Sequence, residues 1–358
     1  MYLSNIDTMM FSLDFPDYDN KILTYRNLLD EKKHLAQTYR ANFSNEKAII
    51  NINDLNFEVL ANGSMGYAYI LHNSDYEIDF SMARSPQKDN YPVFVRIKQN
   101  PLWSNGIYYA YGFIIHWLQK IFGSISSEKL NRIDICCHTD CIPFQNFGLD
   151  FFKTRSTKKN IRVYGNTING FEFGSRKESL IYCRIYNKTL EVKESKKATW
   201  FFDIWKNNGA DISNIWNIEF ELKRNFFREY NIESFADFIN NAKSIWDYLT
   251  TQWLLLCEKD HSRLENCTIH PAWSAVSEHF FIEKYAKFTR KSKQFTADRE
   301  SLVAQIIGYI RSYAAIENID DLHASLERLY TDITIQLSNK NKSFEQLVRE
   351  KSVLYVRG

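Results

Sequence analysis

Side chains of the types that take part in catalysis are concentrated in three segments of this 358-residue sequence. Residues 132–138, 180–188 and 216–223 each alternate apolar and polar side chains, the period-two pattern of strands. If the apolar faces share one core, the polar faces form one surface. That surface carries tyrosine, carboxylate, imidazole and guanidinium groups, namely Arg132, Asp134, Cys136, His138, Tyr182, Arg184, Tyr186, Lys188, Asn217, Glu219, Glu221 and Lys223.

These residue types suit an enzyme that cuts a DNA strand and conserves the energy of the broken bond. A tyrosine hydroxyl can attack a phosphodiester, which leaves a 5′-phosphotyrosine and a free 3′-hydroxyl. A phenol is a weak nucleophile at neutral pH because its ordinary pKa is about 10, so it needs nearby positive charge or a metal. Carboxylates bind Mg²⁺ or Mn²⁺, while arginine and lysine contact the flanking phosphates.

The same faces also fit a non-catalytic interpretation, an amphipathic sheet whose polar side lies in water. Solvated faces usually carry Thr, Ser, Lys and Glu, and a cluster of Tyr, Arg, Asp and His is less typical of them. A lone tyrosine on a sheet usually packs as an aromatic side chain, which applies to both Tyr182 and Tyr186. On the residue pattern alone, both interpretations stand.

Charge is distributed unevenly along the chain. Residues 151–200 hold twelve lysines and arginines against four glutamates, a local charge of +8 in a chain whose net charge is +2. A second basic run, KYAKFTRKSK, occupies residues 284–293. Such local excesses favour binding of a polyanion, although a lysine-rich solvated surface explains them equally well.

Composition predicts a packed protein of the reducing cytoplasm. Hydrophobic residues make up 44% of the chain, and Gly (12) and Pro (6) are scarce, which favours long regular elements. The N-terminus lacks the pattern of a signal peptide, and no window is apolar enough to span a membrane. The cysteines do not form a disulfide scaffold; they are Cys136, Cys137, Cys141, Cys183, Cys257 and Cys267.

Periodicity predicts the other elements. Alternation indicates strands at residues 76–82 and 93–98, and helical spacing indicates helices at 21–39, 105–122, 297–317 and 320–353. A further helix is expected over residues 234–259 with Ser234 as its N-cap, and Pro271 marks a boundary because the residue before proline avoids helix.

The order of three motifs resembles the replication initiation factor family, which includes Gram-positive plasmid initiators and the relaxases of some conjugative transposons. The motifs are RIDIC followed by an aspartate, GFEFGSRKES followed by RIYNK and a glutamate, and W-x-IEFELKR. The similarity covers about residues 50–260, and the GSR…RIYNK…E segment is its most specific part. No His-hydrophobic-His motif is present, so the better-known initiators with that motif are a poorer match.

The resemblance implies a role for each matching residue. Tyr186 would be the nucleophile. Tyr182 lies on the same face of the strand but outside the matching motif, and it is the rival nucleophile. Arg184 and Lys188 would hold phosphates, and Gly174 would turn the chain toward the DNA backbone. A divalent ion, Mg²⁺ or Mn²⁺, would be held by Asp134, Glu219 and Glu221. The residues expected to bind DNA are Arg132, Ser175, Arg176, Lys177, Lys223, Arg290, Lys291 and Lys293.

Two positions depart from the family pattern. Family members often have a second aspartate where this sequence has His138, and an arginine near Trp216 and Asn217. Asp134 and His138 are four residues apart, about 13 Å along a strand, so they are poorly spaced for one ion. His138 remains a candidate metal ligand. It could instead orient the phosphate, act as an acid or base, or be an ordinary sheet histidine.

The family further implies an α+β fold, an antiparallel sheet with helices packed on one face, followed by a helix-rich C-terminal region. The expected domains are an N-terminal helical segment (1–50), a nicking domain (51–265) and a helical region for origin recognition or dimerisation (266–358). Expected partners are origin DNA, single-stranded or cruciform at the nick and duplex for recognition, a host helicase and a second copy of the chain. The predicted function is that of a metal-dependent strand-nicking and strand-transferring endonuclease in the bacterial cytoplasm.

Three other functions compete with this prediction. A non-catalytic, sequence-specific DNA-binding regulator of a mobile element needs the basic face but neither Tyr186 nor the carboxylates. A tyrosine recombinase would also use tyrosine and arginine, but the sequence has no His-x-x-Arg. A metalloenzyme of another kind is suggested only by Cys136, Cys137 and Cys141, which buried thiols explain more simply.

Overall fold

The computed structural model describes residues 1–85, 90–280, 299–340 and 342–352, which fall into two compact units. Within the described chain, the first unit comprises residues 1–22 and 80–280, and the second comprises residues 23–79 and 299–352. Both units are discontinuous in sequence. They therefore differ from the predicted division at residues 50 and 265, because the N-terminal residues belong to the same unit as residues 80–280.

The strands, in chain order, are β1 (Tyr2–Asp14), β2 (Ile49–Ile52), β3 (Leu55–Val59), β4 (Tyr69–His72), β5 (Tyr76–Phe80), β6 (Val93–Ile97), β7 (Ser127–Thr139), β8 (Phe152–Thr154), β9 (Lys159–Tyr164), β10 (Thr167–Phe173), β11 (Ile181–Asn187), β12 (Trp216–Lys223) and β13 (Leu254–Leu256). The α-helices are α1 (Tyr18–Ala41), α2 (Gln99–Ser104), α3 (Ile107–Phe122), α4 (Lys188–Ser195), α5 (Phe201–Asn207), α6 (Arg224–Glu229), α7 (Phe235–Tyr248), α8 (Pro271–Glu278), α9 (Arg299–Glu317), α10 (Leu322–Asn339) and α11 (Phe344–Ser352).

An antiparallel sheet with the strand order β6-β1-β7-β12-β11-β10-β9 forms the first unit. The three strands expected to carry chemistry are β7, β11 and β12, and they are adjacent in this order. Their predicted bounds agree with the observed ones to within a few residues, apart from the N-terminal extension of β7 to Ser127. The prediction of an α+β fold built on an antiparallel sheet is confirmed.

The prediction of a helical N-terminal segment is wrong for its first part. Residues 2–14 form β1, which pairs with β6 on one side and with β7 on the other. Its backbone groups are satisfied by two neighbouring strands, and its side chains are largely buried. The helical spacing around residues 21–39 belongs to α1 alone and does not extend to the N-terminus.

Helices cover the apolar face of the sheet, as predicted. Trp246 of α7 packs edge-on against Phe220 of β12, with ring centroids 5.8 Å apart. Tyr111 of α3 contacts Phe11 of β1 at 5.3 Å and stacks on Phe235 of α7 at 3.9 Å. This aromatic packing fixes the sheet from one side and leaves the polar face to form the site.

One end of the polar face is covered as well. Trp103 of α2 and the α5 side chains Phe201 and Trp205 form a buried cluster with Leu3 and Cys136 on the sheet. The polar side chains nearby are therefore enclosed by aromatic rings and do not face open water. The sequence pattern does not predict this cover, because α2 and α5 are too short to give a clear period.

The helix that begins at residue 235 ends earlier than predicted. Ser234 is the N-cap and forms a capping box with Asp237, which confirms the predicted start. After Tyr248 the chain makes a π-helical turn over Leu249–Trp253 and then becomes β13, which pairs with β8. The backbone hydrogen bonds of residues 254–256 are made to another strand, so the apolar run there is a buried strand.

The second unit contains β2 to β5, most of α1, and the C-terminal helices α9, α10 and α11. The helices expected at 297–317 and 320–353 correspond to α9 and to the pair α10 and α11, so a helix-rich C-terminal region is confirmed. Asp321 caps α10, and Tyr313 of α9 donates a hydrogen bond to Asp332 of α10. Among the described helices, none combines the length and the apolar character that a membrane span requires.

Candidate active site

Strand register brings the predicted polar side chains together in rows across the sheet. Each row takes one side chain from β11, one from β12 and one from β7, and the rows are Tyr182–Glu221–Asp134, Arg184–Glu219–Cys136 and Tyr186–Asn217–His138. The carboxylates are buried, with only 2–3% of Asp134, Glu219 and Glu221 exposed. The polar face is therefore an internal network of charges, whereas the sequence pattern predicts a surface.

Tyr186 lies half-buried in the middle of this network. Its hydroxyl donates a hydrogen bond to Glu219 Oε2 at 2.9 Å and accepts hydrogen bonds from Asn217 Nδ2 at 3.0 Å and Lys188 Nζ at 3.3 Å. Burial, together with the negative charge of Glu219, holds the pKa of Tyr186 well above its ordinary value. The resting side chain is therefore a neutral phenol whose proton points at a carboxylate.

Glu219 is the acceptor for that proton. Burial alone would raise the pKa of Glu219, but the ion pair with Arg184 outweighs it and the pKa is lowered. Asn217 Nδ2 also donates to Glu219 Oε2, at 3.2 Å. An ionised carboxylate in contact with a phenol hydroxyl has the geometry of a general base.

Lys188 places a positive charge beside the Tyr186 oxygen. Only 1% of Lys188 is exposed, and its Nζ forms an ion pair with Glu191 at 2.6 Å. Burial lowers the pKa of Lys188, but Asp7, Glu191 and Glu219 outweigh it and the pKa is raised. Lys188 therefore stays protonated and favours negative charge on the tyrosine oxygen.

At the Asp134 end of the site, Arg132 forms ion pairs with two carboxylates. Its Nε and Nη2 bind Asp134 Oδ1 and Oδ2, both at 2.7 Å, and its Nη2 also lies 2.7 Å from Glu221 Oε2. Arg176 Nε is 3.3 Å from the same Glu221 oxygen, and Lys223 Nζ is 3.8 Å from Glu221 Oε1. Burial raises the pKa of Asp134 to about 7, against the lowering by Arg132.

The predicted metal ligands do not fit a divalent ion in this arrangement. Carboxylate oxygens suit Mg²⁺ or Mn²⁺, but Asp134, Glu219 and Glu221 all bind guanidinium groups here. Over residues 1–85, 90–280, 299–340 and 342–352, no group of three His, Cys, Asp or Glu side chains is placed to hold a metal ion. The site is built as a set of ion pairs.

His138 lies under the aromatic cover, away from the Asp134 end of the site. It is fully buried, stacks on Trp103 at 4.6 Å between ring centroids, and accepts a hydrogen bond from Trp205 Nε1 at Nδ1 (3.0 Å). Burial and the nearby Lys188 charge hold the pKa of His138 well below its ordinary value. The proton of this neutral ring is therefore on Nε2, which leaves no free lone pair for a metal.

Tyr182, the rival nucleophile, is less accessible than Tyr186. Only 4% of it is exposed, and it lies in the Glu221–Asp134 row. Burial and a hydrogen bond with Glu172 raise its pKa to about 12. The carboxylate of its own row, Glu221, is engaged by Arg132 and Arg176, and the Glu172 carboxylate that contacts Tyr182 is paired with Arg162.

The turn before β11 places basic side chains at the open edge of the site. Gly174 has φ +95°, and a Cβ there would lie 2.8 Å from Ile181 O, so the turn requires glycine. The backbone N–H of Ser175 donates a hydrogen bond to Ser179 Oγ at 2.8 Å. Arg176 and Lys177 are exposed. The predicted DNA-binding residues Arg290, Lys291 and Lys293 lie outside the described residues.

Two residues of the site were not given a role from the sequence. Asp7 is 4% exposed and sits at the irregularity of β1 between Ile6 and Thr8, where Trp103 Nε1 donates to it at 2.9 Å. Asn217 binds both Tyr186 and Glu219. Asn217 could have been found as the residue opposite Tyr186 once the register was known, whereas Asp7 required recognition of residues 2–14 as a strand.

The cysteine cluster does not form a metal site. Cys136 and Cys137 are buried and point to opposite faces of β7, while Cys141 is exposed. All six cysteines are free thiols. The interpretation as a different metalloenzyme therefore has no support in the part of the chain that the structure describes.

Comparison with known proteins finds similarity among solved structures only. No protein-family model matches the sequence, and no curated protein matches it either. Among solved structures, the chain is similar to a rolling circle replication initiator protein from Geobacillus stearothermophilus, with a TM-score of 0.44 and 14% sequence identity. The similar region covers 78% of this chain and 96% of the other.

Proposed function

We propose that this protein is a rolling-circle replication initiator or relaxase that nicks one DNA strand through Tyr186. The observation that supports the proposal most strongly is the hydroxyl of Tyr186, which donates to Glu219 and accepts from Lys188 and Asn217. A tyrosine with a purely structural role needs only one hydrogen-bond partner. The Tyr186 hydroxyl has a carboxylate that can accept its proton and two hydrogen-bond donors that can stabilise the negative charge that develops on its oxygen.

The proposed step is an in-line attack of the Tyr186 oxygen on a DNA phosphorus. The phenol proton passes to Glu219 Oε2 as the new oxygen–phosphorus bond forms, because the raised pKa of Tyr186 disfavours a free phenolate beforehand. The bond from phosphorus to the 3′-oxygen breaks, and that oxygen takes a proton from solvent. The products are a 5′-phosphotyrosine and a free 3′-hydroxyl.

Basic side chains around the site suit a DNA strand. Residues 151–200 carry a charge of +8, and Arg176 and Lys177 are exposed at the turn that opens onto Glu221. Cations placed along an open edge neutralise backbone phosphates without reading sequence. Arg184 also lies over the Tyr186 ring, with Cζ 5.3 Å from the ring centroid, and we assign it to the scissile phosphate.

A strand-nicking assay tests the proposal. The full-length protein is incubated with Mn²⁺ and supercoiled or single-stranded DNA that carries the origin of the replicon encoding it. We expect nicked DNA covalently bound to protein, and none with Tyr186→Phe. Tyr182→Phe is the matched control on the same strand face and should retain adduct formation.

Two outcomes contradict the proposal in different ways. An adduct that persists in Tyr186→Phe and disappears in Tyr182→Phe would move the nucleophile to Tyr182. Sequence-specific DNA binding by the wild-type protein without any nicking would favour the non-catalytic regulator instead.

A further inference from the structure

A cleft beside the paired strands β8 and β13 carries an excess of positive charge. Its volume is about 520 Å³, within the range of pockets that bind small ligands. Its charged lining residues are Lys153, Arg155 and Glu265. In the part of the chain that the structure describes, Lys153 Nζ donates to the backbone oxygen of Glu265 at 3.3 Å, and no ion pair joins either cation to a carboxylate. Two cations that face a cleft without a carboxylate partner attract an anion.

Two tyrosine rings adjoin this cleft at Arg155. Arg155 Cζ lies over the ring of Tyr248, 5.5 Å from its centroid, and the centroid of the Tyr230 ring is 6.3 Å from that of Tyr248. Tyr230 follows α6 and is 51% exposed, and Phe226 packs against its ring at 4.7 Å. An exposed ring held next to a cation suits the bases of single-stranded nucleic acid, because every base has an aromatic face that can stack.

The loop of residues 155–158 links these rings to the open edge of the active site. The oxygen of Lys158 accepts a hydrogen bond from the backbone N–H of Gly174 at 2.9 Å, in the turn that places Arg176 at that edge. Three residues of extended chain span at most about 11 Å, so Arg155 lies no further than that from Lys158. A DNA strand that contacts Arg176 and continues along this edge therefore passes next to Arg155.

We propose that Lys153, Arg155 and Tyr230 form a subsite for the single-stranded DNA that flanks the nick, with phosphates at the two cations and a base stacked on the Tyr230 ring. The inference rests on the proposed function for the identity of its ligand. Stacking and phosphate contacts tolerate any sequence, so the subsite holds the strand without reading it. Contacts away from the reacting phosphate align the strand for attack by Tyr186.

Binding of a short oligodeoxythymidine to the full-length protein tests the stacking contact. Fluorescence anisotropy is recorded without a divalent metal, so that binding is measured apart from nicking. Tyr230→Ala should lower the affinity by about 5-fold to 100-fold, the usual effect of removing a stacking ring. Tyr230→Phe keeps the ring and should bind like the wild type. Tyr109→Ala is the matched control, since Tyr109 is 55% exposed and stacks on Phe113 at 6.1 Å, and its affinity should not change.

Salt dependence tests the phosphate contacts. Arg155→Gln should lower the affinity and reduce the slope of log affinity against log salt concentration by about 0.7, the contribution of one phosphate on a single strand. Lys153→Gln should have the same effect. Lys120→Gln, which removes an exposed cation from α3, should leave the slope unchanged.

Photocrosslinking of the wild-type protein locates the base without any substitution. An oligonucleotide that carries 5-iododeoxyuridine reacts on irradiation with aromatic side chains that it contacts. After digestion with trypsin, we expect the nucleotide on residues 229–243, the peptide that contains Tyr230. Crosslinks found on other peptides alone would overturn the inference.

Unchanged affinity in Tyr230→Ala, or an equal loss in Tyr109→Ala, would also overturn it. These results are separate from the nicking assay. Formation of the covalent adduct by a protein whose affinity does not depend on Tyr230 would reject this inference and leave the proposed function intact. Loss of affinity in Tyr230→Ala, for a protein that forms no adduct, would support the inference and reject the nicking step.

Discussion

At the scale of single residues, the central pair is Tyr186 and Glu219. The two side chains come from neighbouring strands, and their 2.9 Å hydrogen bond joins an acid of raised pKa to a carboxylate of lowered pKa. In the proposed mechanism the proton does not leave beforehand at neutral pH, so its transfer would accompany attack on phosphorus. Lys188 and Asn217 donate hydrogen bonds to the same oxygen.

Glu219→Gln should separate base catalysis from DNA binding. The amide keeps the shape of the side chain but cannot accept the proton, so we expect the single-turnover nicking rate to fall by about 100-fold to 10,000-fold, the usual value of a positioned base. Affinity for single-stranded DNA should change little. A nicking rate near that of the wild type would show that Glu219 is not the base.

His138 predicts a specific dependence of stability on pH. An unfolded histidine takes up a proton near pH 6.5, whereas folded His138 resists protonation because its pKa is lowered well below that value. Its contribution to stability is therefore fully present above about pH 6.5. It is lost as the pH falls, by up to about 1.4 kcal/mol per pH unit, because the unfolded state binds the proton.

Urea unfolding followed by tryptophan fluorescence measures this effect, since all eight tryptophans lie between residues 103 and 273, within the first unit. In His138→Gln the free energy of unfolding should decline less steeply between about pH 6.5 and about pH 5 than in the wild type. Equal slopes for the two proteins would mean that His138 takes up a proton as readily in the folded state as in the unfolded state.

Much of the site could be predicted from the sequence at this scale. Period-two alternation is enough to put Tyr186, Arg184 and Lys188 on one face, and register then adds Glu219. The engagement of Asp134 and Glu221 by Arg132 could not be predicted, because it depends on side-chain conformations across two strands. Asp7 was missed because residues 2–14 were expected to belong to a helical segment.

At the scale of elements, the sheet is positioned by the helices on its apolar face. The helix α7 packs on β12 through Trp246, and its start is fixed by the capping box of Ser234 and Asp237. The start was predictable because the N-cap pattern is local. Its end was not, because residues 254–256 form a strand only through pairing with β8, about 100 residues earlier in the chain.

Ser234→Ala should lower the free energy of unfolding of the first unit by about 1 kcal/mol, the usual cost of a lost N-cap. Ser244→Ala provides the control, since Ser244 is exposed within the same helix and alanine is a better helix former there. Urea unfolding by tryptophan fluorescence distinguishes the two variants. Equal stability of both would show that the cap does not contribute.

At the scale of the whole molecule, the net charge is small, but positive charge is concentrated in one segment of the chain. The chain carries only +2 overall, but residues 151–200 carry +8 and include the turn that ends at the site. The uneven charge was readable from the sequence. The division into two discontinuous units was not, because residues 23–79 and 299–352 join in one unit across more than two hundred intervening residues.

Arg176→Gln should weaken DNA binding in a salt-dependent way. If Arg176 contacts a phosphate, its loss lowers the slope of log affinity against log salt concentration by about one. Lys120→Gln is the control, because Lys120 is exposed on α3, which packs on the opposite face of the sheet. Fluorescence anisotropy at several salt concentrations gives both slopes. An unchanged slope in Arg176→Gln would show that Arg176 does not contact a DNA phosphate.

Peptide mapping of the covalent adduct tests the assignment of the nucleophile most directly. Trypsin cleaves after lysine and arginine, so Tyr182 and Tyr186 fall on separate peptides, residues 178–184 and 185–188. After nuclease digestion of the adduct, mass spectrometry should find the nucleotide on residues 185–188. A nucleotide on residues 178–184, or on any other peptide, would contradict the assignment of Tyr186 as the nucleophile.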